Sequence, residues 1–185
     1  MVGSGVIDLE AVRQLQSTFA VLSQIIDYPE GEFPETENAE LQSLINELRQ
    51  FDLIALQEKY STLFELNKRL TLYMTYYRFE DSRERGTILA KLKMLYEMFG
   101  VSLDKAELTD YLPAMLEFLA VADFEGEAGK RVEDLKLLFS VLEDGTYELL
   151  QHAKEFEEEP YIRLIHLIRI ILRKCIINKK EEVAN

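Results

Sequence analysis

Apolar residues recur three and four positions apart through most of the chain, the spacing that gathers them on one face of an α-helix. The first such run, 6–26, carries Leu9, Val12, Leu15, Phe19, Leu22 and Ile26 and stops at the turn-forming Asp27-Tyr28-Pro29-Glu30-Gly31. A polar, acidic loop leads to a second helix marked by Leu41, Leu44, Ile45 and Leu48 and opened by Thr36 or Asn38. Asp52 suits the cap of a third, with Leu53, Leu56, Tyr60, Leu63 and Phe64 facing inward. The aromatic stretch Leu72-Tyr73-Met74-Thr75-Tyr76-Tyr77 precedes a helix over 82–99, which Gly100 closes in the left-handed conformation. A helix over 112–121 ends at the acidic loop 123–129. Two further runs, 132–142 and 147–156, predict a helical pair joined at Asp144-Gly145. Pro160 suits a first turn and opens a last helix reaching about Ile177.

The pattern predicts an all-α protein, a compact single-domain helical bundle over residues 1–185, with 1–5 and 178–185 flexible at its ends. Composition agrees, since only 8 glycines and 4 prolines interrupt a chain rich in good helix formers. The last helix is very apolar between Tyr161 and Arg173. Arg163, Arg169, Arg173 and Lys174 interrupt a span already short, which excludes stable membrane insertion. These arginines and His166 form a basic stripe. It suits either a membrane surface or, as expected here, a core helix facing the acidic remainder.

Charge narrows the partners. With 21 Lys and Arg against 34 Asp and Glu, the net charge of −13 argues against a duplex nucleic-acid binder; it suits a solvated surface, as most acidic faces are, and would also attract a basic partner segment. Cys175 is the sole cysteine, so neither an intramolecular disulfide nor a cysteine metal cluster can form, and its apolar run predicts a buried, inert thiol. The N-terminus shows no signal peptide, which points to the cytoplasm.

Catalytic signatures are missing. There is no Gly-rich phosphate loop and no nucleophile elbow. Neither histidine has a glutamate three residues before it, and His152 with Glu148 reads as a surface pair rather than a metal site. The expectation is a non-enzyme with no catalytic residues, no metal and no cofactor.

Two stretches remain, Asp81-Ser82-Arg83-Glu84-Arg85-Gly86 and Glu107-Leu108-Thr109-Asp110-Tyr111-Leu112-Pro113 running on to Glu117-Phe118-Leu119. Asp81 with Glu84 makes a capping-box-like pair, and both acids suit the positive end of the helix dipole. Arg83 and Arg85 do not suit that end and call for carboxylates elsewhere, Asp110 or Glu117. Gly86 costs a helix about 1 kcal/mol relative to alanine, which suggests close approach of a backbone from the fold or from a ligand. In the second stretch Asp110 can cap and Pro113 fits a first turn. Tyr111, Glu117 and Phe118 then belong either to a capped core helix or to the acidic, aromatic edge of a groove for an amphipathic peptide.

Together with Tyr28-Pro29, Tyr60-Ser61-Thr62-Leu63-Phe64 and Leu72-Tyr73-Met74-Thr75-Tyr76-Tyr77-Arg78, these stretches resemble the nitrate reductase molybdenum-cofactor assembly chaperones, the delta-subunit or NarJ-type family within a wider group of all-helical molybdoenzyme maturation chaperones. Thr109 departs from the family's usual proline. The resemblance implies a chaperone, absent from the finished enzyme, that binds the N-terminal segment of the nitrate reductase alpha subunit. It would hold the apo alpha–beta complex in the cytoplasm until the molybdenum cofactor is inserted. It also implies that Tyr76, Tyr77, Arg83, Arg85, Asp110, Tyr111 and Glu117 line or brace the peptide site, and it leaves room for a homodimer. The alternative is a helical adaptor or oligomeric interaction protein with no part in cofactor insertion.

Overall fold

The structure is a computed structural model that describes residues 5–103, 106–126 and 130–178. Helices dominate it, as the spacing predicts, but the first and last described residues are joined by strands. β1 (Gly5–Ile7) pairs antiparallel with β2 (Ile176–Asn178), Gly5 lying opposite Asn178. The first helix therefore does not start at Val6, nor does the last reach Ile177. Asp8 ends the strand and caps α1 (Leu9–Gln14), accepting from the Ala11 N–H, while its own N–H donates to Cys175 O at 2.8 Å. Ile176 and Ile177 are β-branched and suit an extended edge. A break at Leu15 separates α1 from α2 (Gln16–Ile25), whose Phe19 and Leu22 are fully buried.

Asn38 caps α3 (Ala39–Leu48) and Asp52 caps α4 (Leu53–Tyr60), each side chain accepting from the N–H three residues on. Leu56 and Tyr60 are buried as expected, but Leu53, the first helical residue, is exposed. A wide π-turn, Ser61–Glu65, turns Leu63 and Phe64 into the core. After the short α5 (Tyr76–Phe79), α6 (Arg83–Met98) opens on Ser82, whose hydroxyl accepts from the Arg85 N–H, so the cap is Ser82 and not Asp81. Gly100 closes it at φ +77°, the left-handed conformation that glycine alone adopts freely. α7 (Leu112–Val121) carries Pro113 in its first turn and packs along α2.

Asp144-Gly145 joins nothing. α8 (Leu135–His152) runs straight through it. Gly145 is there because Met74 presses on the helix: a Cβ at 145 would stand 2.6 Å from the Met74 carbonyl oxygen. The last helix, α9 (Pro160–Arg173), packs between α3 and α8 with most of its side chains buried. Its basic stripe meets acids of the fold. Arg163 pairs with Glu47, buried Arg169 with Glu143 at 2.7 Å, and Arg173 with the same carboxylate at 3.7 Å. No helix among the described residues is long and apolar enough to cross a membrane. Of the acidic loop 123–129, residues 127–129 lie outside the described residues.

Candidate functional site

The aromatic stretch after α4 does not form a long helix, because its backbone is stitched to the start of α7. Met74 N–H donates to Asp110 O and Leu112 N–H to Leu72 O, both at 2.9 Å, making a one-residue bridge between Tyr73 and Tyr111. Asp110 lies inside that bridge, fully buried, and caps nothing; the N-cap residue of α7 is Tyr111, which makes no side-chain capping bond. The Asp110 carboxylate instead accepts on Oδ2 from the Thr75 N–H (3.1 Å), the Thr75 hydroxyl (2.5 Å) and Arg85 Nη2 (3.3 Å). Arg85 Nε also donates to the Thr75 hydroxyl at 3.0 Å, and Asp81 stands 3.6 Å from Nη1. One buried carboxylate thus ties the aromatic segment, α6 and the start of α7 together, and charge-assisted bonds suit that task. Its other oxygen, Oδ1, has no hydrogen-bond partner among the described residues.

Thr109 strengthens the same junction. Where the resembled family usually carries proline, its hydroxyl donates to Leu89 O at 2.8 Å, and its carbonyl accepts from the Tyr96 hydroxyl at 2.6 Å. The departure from proline leaves the turn anchored to α6.

Beside this junction opens a cleft of about 660 Å³. Tyr60, Phe64, Leu72, Tyr73, Tyr76 and Tyr111 give it aromatic and aliphatic walls, and Glu65, Lys68 and Arg85 add charge. Its rings are fixed at their polar ends. The Tyr111 hydroxyl donates to Asp27 Oδ1 (2.9 Å), the Tyr73 hydroxyl to Glu107 Oε1 (3.1 Å) and the Tyr60 hydroxyl to Ile26 O (3.1 Å), with Tyr60 and Tyr111 oxygens 3.1 Å apart. Burial, reinforced by the Glu107 charge, pushes the Tyr73 phenol up to about 12. Burial likewise raises Tyr60 and Tyr111. All three stay protonated donors at neutral pH. The Arg85 guanidinium lies over the Tyr76 ring, 5.6 Å from its centroid.

Of the residues singled out in sequence, Tyr76, Arg85 and Tyr111 line the cleft and Asp110 braces it from behind. Tyr77 faces α8, stacking on His152 at 5.7 Å and donating to Thr71 O. Arg83 and Glu117 are exposed, on α6 and α7, and neither forms an ion pair among the described residues, so of the two arginines only Arg85 braces Asp110. Beyond the backbone of its own helix, no atom of the described residues comes within 4 Å of a Cβ built on Gly86, so no other segment among them approaches it. Sequence reasoning missed Tyr60, Tyr73, Thr75 and Glu107 as parts of the site. Tyr60 reads as an ordinary inward position of α4, and its hydroxyl meets that of Tyr111 only because the bundle brings the start of α7 alongside. Among the described residues no group of three or more His, Cys, Asp or Glu could hold a metal ion.

The fold and cleft define a class: a helical protein, its one strand pair apart, with a recess walled by tyrosines and aliphatic side chains. Residues 31–156 match the nitrate reductase delta subunit family. The chain is 35% identical over 185 aligned residues to the probable nitrate reductase molybdenum cofactor assembly chaperone NarJ of Bacillus subtilis (strain 168), covering 91% of this chain and 95% of that one. It is 25% identical over 139 residues to the nitrate reductase molybdenum cofactor assembly chaperone NarJ of Escherichia coli (strain K12), covering 66% and 58%. An 88-residue stretch is 36% identical to the nitrate reductase-like protein NarX of Mycobacterium tuberculosis (strain ATCC 25618 / H37Rv), covering 48% of this chain and 13% of that protein. The chain belongs to the nitrate reductase delta subunit family.

Proposed function

We propose that this protein is a maturation chaperone of respiratory nitrate reductase, one that binds the N-terminal segment of the alpha subunit and keeps the apo alpha–beta complex competent for molybdenum cofactor insertion. The observation that carries the reading is the near full-length likeness to a protein named a probable nitrate reductase molybdenum cofactor assembly chaperone. The cleft supports it. Fixed aromatic walls lose little conformational freedom when a peptide side chain enters, which favours binding by a preformed surface. In this reading the protein acts in the cytoplasm, performs no turnover, carries no cofactor of its own and leaves before the enzyme docks at the membrane. It works as a monomer or a homodimer, which light scattering with and without peptide distinguishes.

Titration calorimetry with a synthetic alpha-subunit N-terminal peptide tests the binding step. The expected result is a saturable heat with Kd below about 100 μM, weakened about tenfold or more in Tyr111→Ala. Absence of heat sinks the peptide assignment. If strains lacking the gene still make nitrate reductase fully loaded with molybdenum, the protein is an adaptor and not a maturation factor.

A further inference from the structure

A second recess lies between the loop 27–38 and the corner joining α3 to α4. It measures about 430 Å³ and shares no lining residue with the tyrosine cleft. Leu56 forms its floor and Phe33, Phe51 and Leu53 its walls. Just outside, Ile54 leaves 69% of its surface in water, and Phe51 and Leu53 are each 39% exposed. Such a cluster at a helix corner is apolar surface that the fold itself does not use.

Among its lining residues the charge left once the internal pair is removed is negative. Arg49 is held by Glu35 at 2.7 Å and donates to Phe33 O at 2.9 Å. Lys59 is held by Glu159 at 2.7 Å and lies over the Phe51 ring. Glu32, on the rim, and Glu30 and Glu37, which flank it in the same loop, have no cation in ion-pair range among the described residues. The surface therefore offers apolar walls and uncompensated carboxylates side by side. The chemistry complementary to both is an amphipathic segment with apolar side chains on one face and Lys or Arg on the other.

We propose that this recess docks a basic amphipathic segment of a partner protein, as a surface separate from the tyrosine cleft. Apolar side chains enter between Phe33, Phe51 and Leu53, Ile54 closes over them, and Glu30 and Glu32 receive the basic groups. The proposal does not depend on what fills the cleft.

Nuclear magnetic resonance on the intact, isotope-labelled protein tests it, with an amphipathic Leu/Lys helix of about five turns as the probe and a Leu/Glu helix of the same pattern as control. The expected outcome is saturable shifts of the amides of 31–33 and 51–54 with the Leu/Lys probe and none with the control. Reversing the rim charges in a Glu30→Lys, Glu32→Lys double variant should weaken binding about tenfold or more, and Ile54→Asp should do the same. All three positions are exposed, so thermal melts should stay close to that of the parent protein. Several results overturn the idea: shifts concentrated at Tyr73 and Tyr76, shifts spread over the acidic surface, equal binding of the control, or affinity untouched by the variants. A homodimer that Ile54→Asp dissociates also overturns it, since a second copy would then cover the recess.

Discussion

Gly145 stands in the middle of α8 with Met74 pressed against it, and Gly86 stands in the first turns of α6 with no other segment of the described residues near it. The two glycines look alike in sequence and should behave oppositely. Gly145→Ala must push Met74 backbone aside, which is expected to destabilise the protein by about 1–3 kcal/mol and to disturb the cleft wall that Met74 adjoins. Gly86→Ala should instead stabilise α6 by about 0.5–1 kcal/mol. Urea denaturation midpoints of the two variants check both signs. Cys175 gives a third residue-scale expectation. Burial pushes its thiol up to about 12, so the native protein should resist iodoacetamide at pH 8 and react only on unfolding. Because the folded state holds the thiol neutral, its contribution is complete below the ordinary cysteine value. Stability should fall as pH rises from about 8.5 toward 12, an effect that Cys175→Ala removes.

At the scale of elements, the junction of α6, α7 and the aromatic segment depends on one carboxylate. Removing it leaves Arg85, which keeps only 12% of its side chain exposed, beside a lone Asp81 at the surface. Asp110→Ala should therefore cost about 3–5 kcal/mol, while the Asp110→Ala, Arg85→Met double variant recovers part of that loss because no buried cation is stranded. A double-mutant cycle on thermal stability measures the coupling, and independent, additive losses would show that the pair does not act as a unit. The sequence legibly demands a carboxylate partner for Arg85, since an arginine in a first helical turn opposes the dipole. Arg83 raises the same demand and goes unanswered, because α6 turns it to solvent, where water solvates the charge. Asp81 and Asp110 both read as caps, yet Ser82 takes the first role and nothing takes the second. Capping chemistry is local, and several neighbouring side chains can satisfy it equally, so only the packed geometry selects one.

For the whole molecule, 34 acidic against 21 basic residues leave an excess of 13 negative charges, which internal ion pairs cannot neutralise. Self-repulsion follows, and salt screens it. Raising sodium chloride from low to physiological levels and beyond should raise the melting midpoint by about 2–4 °C, the equivalent of about 1 kcal/mol for a chain of this size. A midpoint that falls with salt would mean that pairs such as Arg163 with Glu47 outweigh the general repulsion.

Helical class, the positions of most helices and the inward faces of α2, α3 and α9 follow from the sequence alone, because a 3.6-residue period in apolar side chains has one economical burial. The unbroken α8, the strands joining Gly5 to Asn178 and the tyrosine cleft do not. Each depends on contacts between residues far apart in the chain, Gly145 with Met74, Val6 with Ile177, and Tyr60 with Tyr111. A local pattern records how a segment buries its own face. Which distant backbone or hydroxyl arrives at that face is fixed only when the bundle closes.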